Sequence, residues 1–181
     1  MIHDFGYKAL EAQGMLLSAE ESFGNEHFSG RYDGTVKGET GQPTLFDFKS
    51  AGAYAMKKAM TGADSEENIA QVLASVMLLQ ETRKDLAKAG ILVYLNKEPG
   101  DKMPTISADR TYHLTSVREK ALKNEMDTLV EYWLSEKVPP CSCPSWMKDY
   151  NSFLPFCEMT DKQIAKHLLM VKKGKVLLSS K

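Results

Sequence analysis

The stretch Thr44-Leu-Phe-Asp-Phe-Lys49 is the starting point for the fold. Bulky and polar side chains alternate in it, as they do along a β-strand, where successive side chains point to opposite faces. Leu45, and next to it Phe46, are the candidates for the core. Asp47 and Lys49 are two residues apart and are therefore expected to lie on one face of the strand.

The residues before this strand predict a helix and a hairpin. Loosely helical spacing of apolar groups predicts a first helix at residues 4–17, with Asp4 as its N-cap. Short extended runs at residues 18–36, broken at glycines such as Gly34, predict a hairpin whose second strand carries Asp33. The polar, glycine-rich segment that follows predicts a turn before Thr44.

The residues after this strand predict helices and strands that alternate along the chain. Ser65, followed by two glutamates, begins a long helix whose apolar spacing continues to about Gly90. The further predicted elements are a buried strand at residues 91–95, a strand at residues 111–114, an amphipathic helix at residues 116–137 and a last helix from Thr160. This order predicts an α/β fold with one mixed sheet.

Composition limits the classes of function. The chain has 181 residues, of which 43% are hydrophobic and 26% charged, so a single globular domain over residues 1–181 is expected. A net charge of −1 argues against a protein that coats nucleic acid nonspecifically. Lys57 and Lys58 either line a local basic groove or form a solvated helix face. No apolar run spans a membrane and no signal peptide is evident, so a soluble, intracellular (cytoplasmic) protein is expected.

Asp33, Asp47 and Lys49 form the candidate site. If the strand of Asp33 lies beside the strand of Asp47, both carboxylates and the lysine face one cleft. Oxygen ligands of this kind suit magnesium or manganese, and the main-chain carbonyl of Phe48 is a candidate third ligand. The alternative is that Asp47 and Lys49 are a chance pair on the surface.

The motifs Gly30-Arg-Tyr-Asp33 and Asp47-Phe-Lys49, followed by a helix bearing Gln71, resemble the PD-(D/E)XK nuclease superfamily. The order is similar to its RecB-like exonuclease branch, which includes viral, phage and CRISPR-associated enzymes. The resemblance implies a restriction-endonuclease-like mixed central sheet flanked by helices. It also implies catalytic roles for Asp33, Asp47 and Lys49 with Mg or Mn as cofactor, and a substrate contact for Gln71.

Three further features bear on this resemblance. In RecB-like enzymes a histidine on the first helix can also bind the metal, and His3 matches that position; the alternative is a frayed terminal histidine. The helix has Ser75 where the family has a tyrosine. Many members hold an iron–sulfur cluster through four cysteines, whereas this chain has three, Cys141, Cys143 and Cys157. Free thiols are favoured over a cluster or over a zinc site completed by His167.

The resemblance implies a DNA exonuclease acting in recombination, repair or phage DNA metabolism, with a core at about residues 1–137 and a cysteine-bearing C-terminal segment at residues 138–181. DNA is the expected partner, and a homo-oligomer or a helicase partner is compatible with this interpretation. The alternative is a nuclease-fold protein that binds DNA or a protein partner without cutting.

Overall fold

A computed structural model describes residues 2–97 and 106–137, together with residues 160, 162–163 and 166. One five-stranded sheet has its strands in sequence order. The strands are β1 (Leu16–Gly24), β2 (Ser29–Lys37), β3 (Pro43–Ala51), β4 (Ala89–Asn96) and β5 (Ile106–His113). The helices are α1 (Ile2–Ala12), α2 (Ala53–Thr61), α3 (Glu66–Leu79) and α4 (Ser116–Leu134).

The sheet is mixed, because β3 and β4 are parallel whereas the other neighbouring strands are antiparallel. A parallel pair needs a long crossover connection, and α2 and α3 supply it between β3 and β4. The predicted hairpin corresponds to β1 and β2, and the predicted strands at Thr44 and Ile91 correspond to β3 and β4. The α/β fold with one mixed sheet and flanking helices is confirmed and is consistent with a restriction-endonuclease-like fold.

Alternation along β3 places apolar side chains on both faces of the sheet. Leu45 belongs to a buried cluster with residues of α3 such as Val72 and Val76. Phe46 and Phe48 belong to a second buried cluster, against which Tyr7 of α1 packs. The sheet is therefore covered on both faces, and the carboxylate and the lysine of β3 share the face of Leu45.

Gly6 allows α1 to lie close to this second cluster. A Cβ added at Gly6 would lie 2.5 Å from the Phe48 ring, so any larger residue would push the helix away from the sheet. The Tyr7 ring lies edge-on to Phe48, with ring centroids 5.3 Å apart. Close packing at this point brings the first turn of α1, which carries His3, next to the strands.

Two predictions about the first half of the chain are wrong. The first helix spans Ile2–Ala12 rather than residues 4–17, so Asp4 lies in its first turn and is not its N-cap. The chain turns at Gly14, whose φ is +65°, and the apolar residues that follow enter β1. Gly34 does not break a strand. It pairs with Phe46 inside β2, and a Cβ there would overlap the Phe46 ring.

Two predictions about helices also need correction. The helix that begins after Ser65 ends at Leu79 rather than near Gly90, and Leu86 is buried from a separate turn. The predicted α4 is present, but its apolar positions are not buried: Val117 is 77% and Trp133 80% exposed. The helix α2 was not predicted from the sequence.

The chain divides into two compact units, Met1–Lys123 and Asn124–Lys181, and all candidate site residues lie in the first. In the second unit the Thr160 N–H donates to Gln163 Oε1 at 2.8 Å, one half of a capping box, and residues 162–163 and 166 are helical. The single-domain organisation stays a prediction. Within the described ranges, no helix is long and apolar enough to cross a membrane.

Candidate active site

Asp33 lies where β2 and β3 separate. The two strands pair from Gly34 with Phe46 to Lys37 with Pro43. Asp33 is the residue of β2 just beyond this paired region, and its Oδ2 accepts the Phe48 N–H at 2.6 Å. The Asp33 carboxylate thus accepts the Phe48 N–H at a point where β2 no longer supplies a main-chain carbonyl to β3. From α1, the Tyr7 hydroxyl donates to the main-chain carbonyl of Asp33 at 3.1 Å.

The surroundings of Asp33 oppose its ionisation. Burial raises the pKa of this carboxyl, and the nearby Asp47 raises it further. The Phe48 N–H, followed by His3 and Lys49, lowers the pKa but does not cancel the increase. A partly buried carboxyl beside a second carboxylate is the electrostatic situation that a bound cation relieves.

Asp47 and Lys49 lie on the same face of β3, as predicted. Lys49 Nζ lies 2.7 Å from Asp47 Oδ2 and donates to Gln71 Oε1 of α3, also at 2.7 Å. Although the ammonium is close to Asp47 Oδ2, it approaches outside hydrogen-bonding directions, and this buried oxygen has no hydrogen-bond partner. The lysine is therefore held between an amide and a carboxylate whose hydrogen-bonding capacity is unfilled.

His3 lies beside Asp33 and is not detached from the fold. Its Nδ1 is 3.9 Å from Asp33 Oδ1, and its ring centroid is 5.4 Å from that of Phe48. Five side chains that the sequence singled out therefore lie in one region of the structure, and they come from four elements. His3 belongs to α1, Asp33 to β2, Asp47 and Lys49 to β3, and Gln71, the partner of the lysine, to α3.

The donor set fits a cation that keeps part of its own water shell. Within residues 2–97 and 106–137, no three side chains of His, Cys, Asp or Glu are grouped as a metal site. Asp47 Oδ2 is a buried carboxylate oxygen that makes no hydrogen bond, and the charge nearest to it is the Lys49 ammonium 2.7 Å away, so the oxygen retains capacity for a further ligand. Magnesium is usually held by one or two carboxylates and retains several waters, which suits Asp33 and Asp47.

Other sequence-derived candidates lie elsewhere or cannot be placed. Ser75, at the position of the family's tyrosine, donates its hydroxyl to the Gln71 carbonyl at 3.1 Å. The cysteine site and His167 lie outside the described residues. The role of the Phe48 carbonyl stays a prediction.

Sequence reasoning missed a buried acidic group at Asp64, just before α3. Its side chain is 0% exposed, and its Oδ2 accepts the Tyr112 hydroxyl and lies 3.8 Å from Arg110 Nε. Its Oδ1 has no hydrogen-bond partner. Burial, followed by the hydrogen bond to Asp64, raises the pKa of Tyr112 to about 12. The only signal in the sequence is an acidic residue next to the N-cap Ser65, which is too common to be diagnostic.

No protein-family model matches this sequence. No curated protein matches it either. Similar solved structures include the protein SSO0001, at 16% identity and a TM-score of 0.48, with 88% of this chain and 69% of that chain covered. They also include an alkaline exonuclease, LHK-Exo, from Laribacter hongkongensis, at 11% identity and a TM-score of 0.44, with 72% and 66% covered. Similarities at this level do not assign the chain to a family.

Proposed function

We propose that this protein is a divalent-metal-dependent DNA nuclease of the RecB-like branch of the PD-(D/E)XK superfamily, with Asp33, Asp47 and Lys49 as its catalytic residues. One observation carries the proposal. Where β2 and β3 separate, the Asp33 carboxylate lies near enough to Asp47 and Lys49 to be influenced by their charges, and Lys49 is paired with Asp47 and held by Gln71. The sequence motifs that resemble the family supply these same residues.

In this proposal Asp33 and Asp47 hold the cation, with the Phe48 carbonyl and His3 as further ligands. Phe48 N–H fixes the orientation of the Asp33 carboxylate, so one oxygen is occupied and the other is directed toward His3. A bound Mg or Mn ion would lower the pKa of a coordinated water and neutralise charge that develops on the phosphate.

Lys49 supplies a fixed positive charge beside the metal ligands. Its side chain is 20% exposed, and the Gln71 amide oxygen takes one of its three donors. The remaining donors are free to face the attacking water or a phosphate oxygen. Because Gln71 holds the ammonium before substrate arrives, little reorganisation is needed when charge develops in the transition state. A direct contact of Gln71 with DNA is the other part of its proposed role.

DNA is the proposed substrate, and exonuclease action in recombination, repair or phage DNA metabolism is the proposed context. These finer assignments rest on the resemblance of the motifs. A homo-oligomer or a helicase partner is compatible with them.

The test is cleavage of end-labelled single- and double-stranded DNA by purified protein with magnesium, manganese or chelator. We expect cleavage with either metal, none with chelator, and short products that accumulate from one labelled end. Lys49→Met is the matched variant, because it keeps the length of the side chain while removing the charge. Cleavage by Lys49→Met at the wild-type rate, or cleavage that survives chelation, would contradict the proposal.

A second candidate is a nuclease-fold protein that binds DNA or a partner without cutting. It is favoured by the lack, within the described ranges, of three grouped metal-ligating side chains. The same assay separates the two candidates, because a non-cleaving protein retards labelled DNA in a native gel but leaves its length unchanged with either metal.

A further inference from the structure

The outward face of α2 combines an aromatic ring with positive charge. Met56 and Ala59 are its buried residues, so Tyr54, Lys57 and Lys58 point outward. Tyr54 is 74% exposed, which is a large exposure for an aromatic side chain. The helix contains no acidic residue that would neutralise the two lysines. The sequence left open whether these lysines form a basic groove or a solvated face.

Tyr54 and Lys58 are one turn apart and contact each other. Lys58 Nζ lies 4.9 Å from the centroid of the Tyr54 ring, within the range of a cation–π interaction. Residues four apart on a helix lie on one face, so this contact arises from the helix itself. The pair presents an aromatic surface and an ammonium group side by side to solvent.

Arg110 of β5 adds a fixed cation at the end of the same helix. Gly62, the C-cap of α2, has a φ of +87°, and a Cβ there would overlap the Arg110 guanidinium. The guanidinium therefore lies against Gly62, four residues after Lys58. Asp64 holds Arg110 from the buried side, 3.8 Å from its Nε, while 31% of the arginine side chain remains exposed. The term α2 surface denotes Tyr54, Lys57, Lys58 and Arg110.

We propose that the α2 surface binds a single-stranded stretch of nucleic acid, with Tyr54 stacking on a base and the three cations contacting phosphates. Proteins that bind single strands without sequence preference combine these two features, a basic surface and aromatic rings. The proposal rests on the proposed nuclease function, because β3, which carries Lys49, leads directly into α2 through Gly52. It names the substrate form, a frayed or single strand, that is held next to the site.

The test is fluorescence anisotropy with a labelled oligothymidylate of about 12 nucleotides, in chelator so that no cleavage occurs. Tyr54→Ala is expected to weaken binding about 5- to 150-fold, the range for loss of one stacked base. Lys58→Ala is expected to lower the slope of log K against log salt by about 0.7, the value for one phosphate contact on a single strand. Tyr54→Phe keeps the ring and should bind like the wild type.

Trp133→Ala is the matched control for loss of an exposed aromatic residue, and Lys84→Ala for loss of an exposed lysine. Thermal melts verify that each variant is folded. Wild-type protein that does not bind the oligonucleotide, or a Tyr54→Ala affinity equal to that of wild type, would overturn the proposal. Equal displacement by an oligoglutamate of matched charge would also overturn it, in favour of an acidic protein partner.

The nuclease proposal and the α2-surface proposal are tested independently when the same preparations are also assayed for cleavage with magnesium or manganese. If wild type cleaves DNA but Tyr54→Ala binds the oligonucleotide normally, the nuclease proposal stands and the α2 surface is rejected. If binding depends on Tyr54 but wild type does not cleave, the α2 surface stands and the nuclease proposal is rejected.

Discussion

The hydrogen bond from Phe48 N–H to Asp33 is expected to stabilise the fold, and this effect can be measured separately from catalysis. Asp33→Ala removes the acceptor of the Phe48 N–H, which is bonded at 2.6 Å. Phe48 is only 5% exposed, so water does not readily replace the carboxylate. An unpaired buried donor costs about 1–3 kcal/mol. The raised pKa of Asp33 shows that burial disfavours its charge, and removal of that charge returns part of this cost.

We therefore expect Asp33→Ala to lower the free energy of unfolding by about 1–2 kcal/mol. For a chain of this length that corresponds to a Tm lower by about 2–8 °C. Asp33→Asn keeps an oxygen acceptor for the Phe48 N–H and should melt close to the wild type. Asp47→Ala removes the ion pair with Lys49, but the lost oxygen makes no hydrogen bond and Gln71 still holds the lysine, so its Tm should stay close to that of the wild type. All three variants should lose cleavage.

The assay is thermal unfolding followed by circular dichroism, in chelator so that metal binding does not contribute. The comparison between Asp33→Ala and Asp33→Asn isolates the hydrogen bond, because both lose the charge and only one loses the acceptor. If Asp33→Asn is destabilised as much as Asp33→Ala, or if neither differs from wild type, the account of how Asp33 is anchored is wrong.

Further predictions concern the lysine, the buried acid and the metal. Gln71→Ala should slow single-turnover cleavage about 10- to 100-fold, because Lys49 loses its acceptor; an unchanged rate would count against that role. Tyr112→Phe should lower the free energy of unfolding by about 1–3 kcal/mol, measured with urea, since Asp64 loses its donor. The native pKa of Tyr112, about 12, lies above its ordinary value of 10.0, so this stabilisation is complete below pH 10 and is lost as the pH rises toward 12. The difference between variant and wild type should therefore shrink over that window. Manganese should support cleavage at least as well as magnesium, whereas calcium should bind without supporting it, and equal rates with calcium would exclude this type of site.

The strands and the order of elements were predictable because local patterns and tertiary packing agree in them. The pattern of β3 was clear enough to predict a strand with Leu45 and Phe46 in the core and with Asp47 and Lys49 on one face. The end of α3 was not predictable from spacing, since Leu86 continues the helical pattern although the chain has already turned after Leu79. Leu86 is buried in the core although it belongs to the turn that follows α3.

α2 was missed for a different reason. Only Met56 and Ala59 in it are buried, which gives too few apolar positions for a clear helical period. Its N-cap is Gly52, which makes no side-chain capping hydrogen bond. The usual start signal of a helix is therefore absent, and the helix is fixed by its packing against the sheet instead.

The candidate site was predictable as a set of residues but not as an arrangement. The spacing of Asp47 and Lys49 specifies a shared face, and the motif order suggests that Asp33 is near. The hydrogen bond from Phe48 N–H to Asp33 depends on where β2 and β3 separate, which a local pattern does not encode. The contact of Gln71 with Lys49 depends equally on how α3 lies across the sheet.

The most direct test of Asp47 as a catalytic metal ligand is single-turnover cleavage of end-labelled DNA by wild type and Asp47→Ala at saturating manganese. Asp47 is the informative residue, because its carboxylate makes no hydrogen bond through Oδ2 and Gln71 still holds Lys49 when the ion pair is lost, so the variant is expected to fold. We expect metal-dependent cleavage by wild type and no detectable cleavage by a folded Asp47→Ala protein. Cleavage by Asp47→Ala at a rate near that of wild type would show that the chemistry takes place elsewhere in the chain.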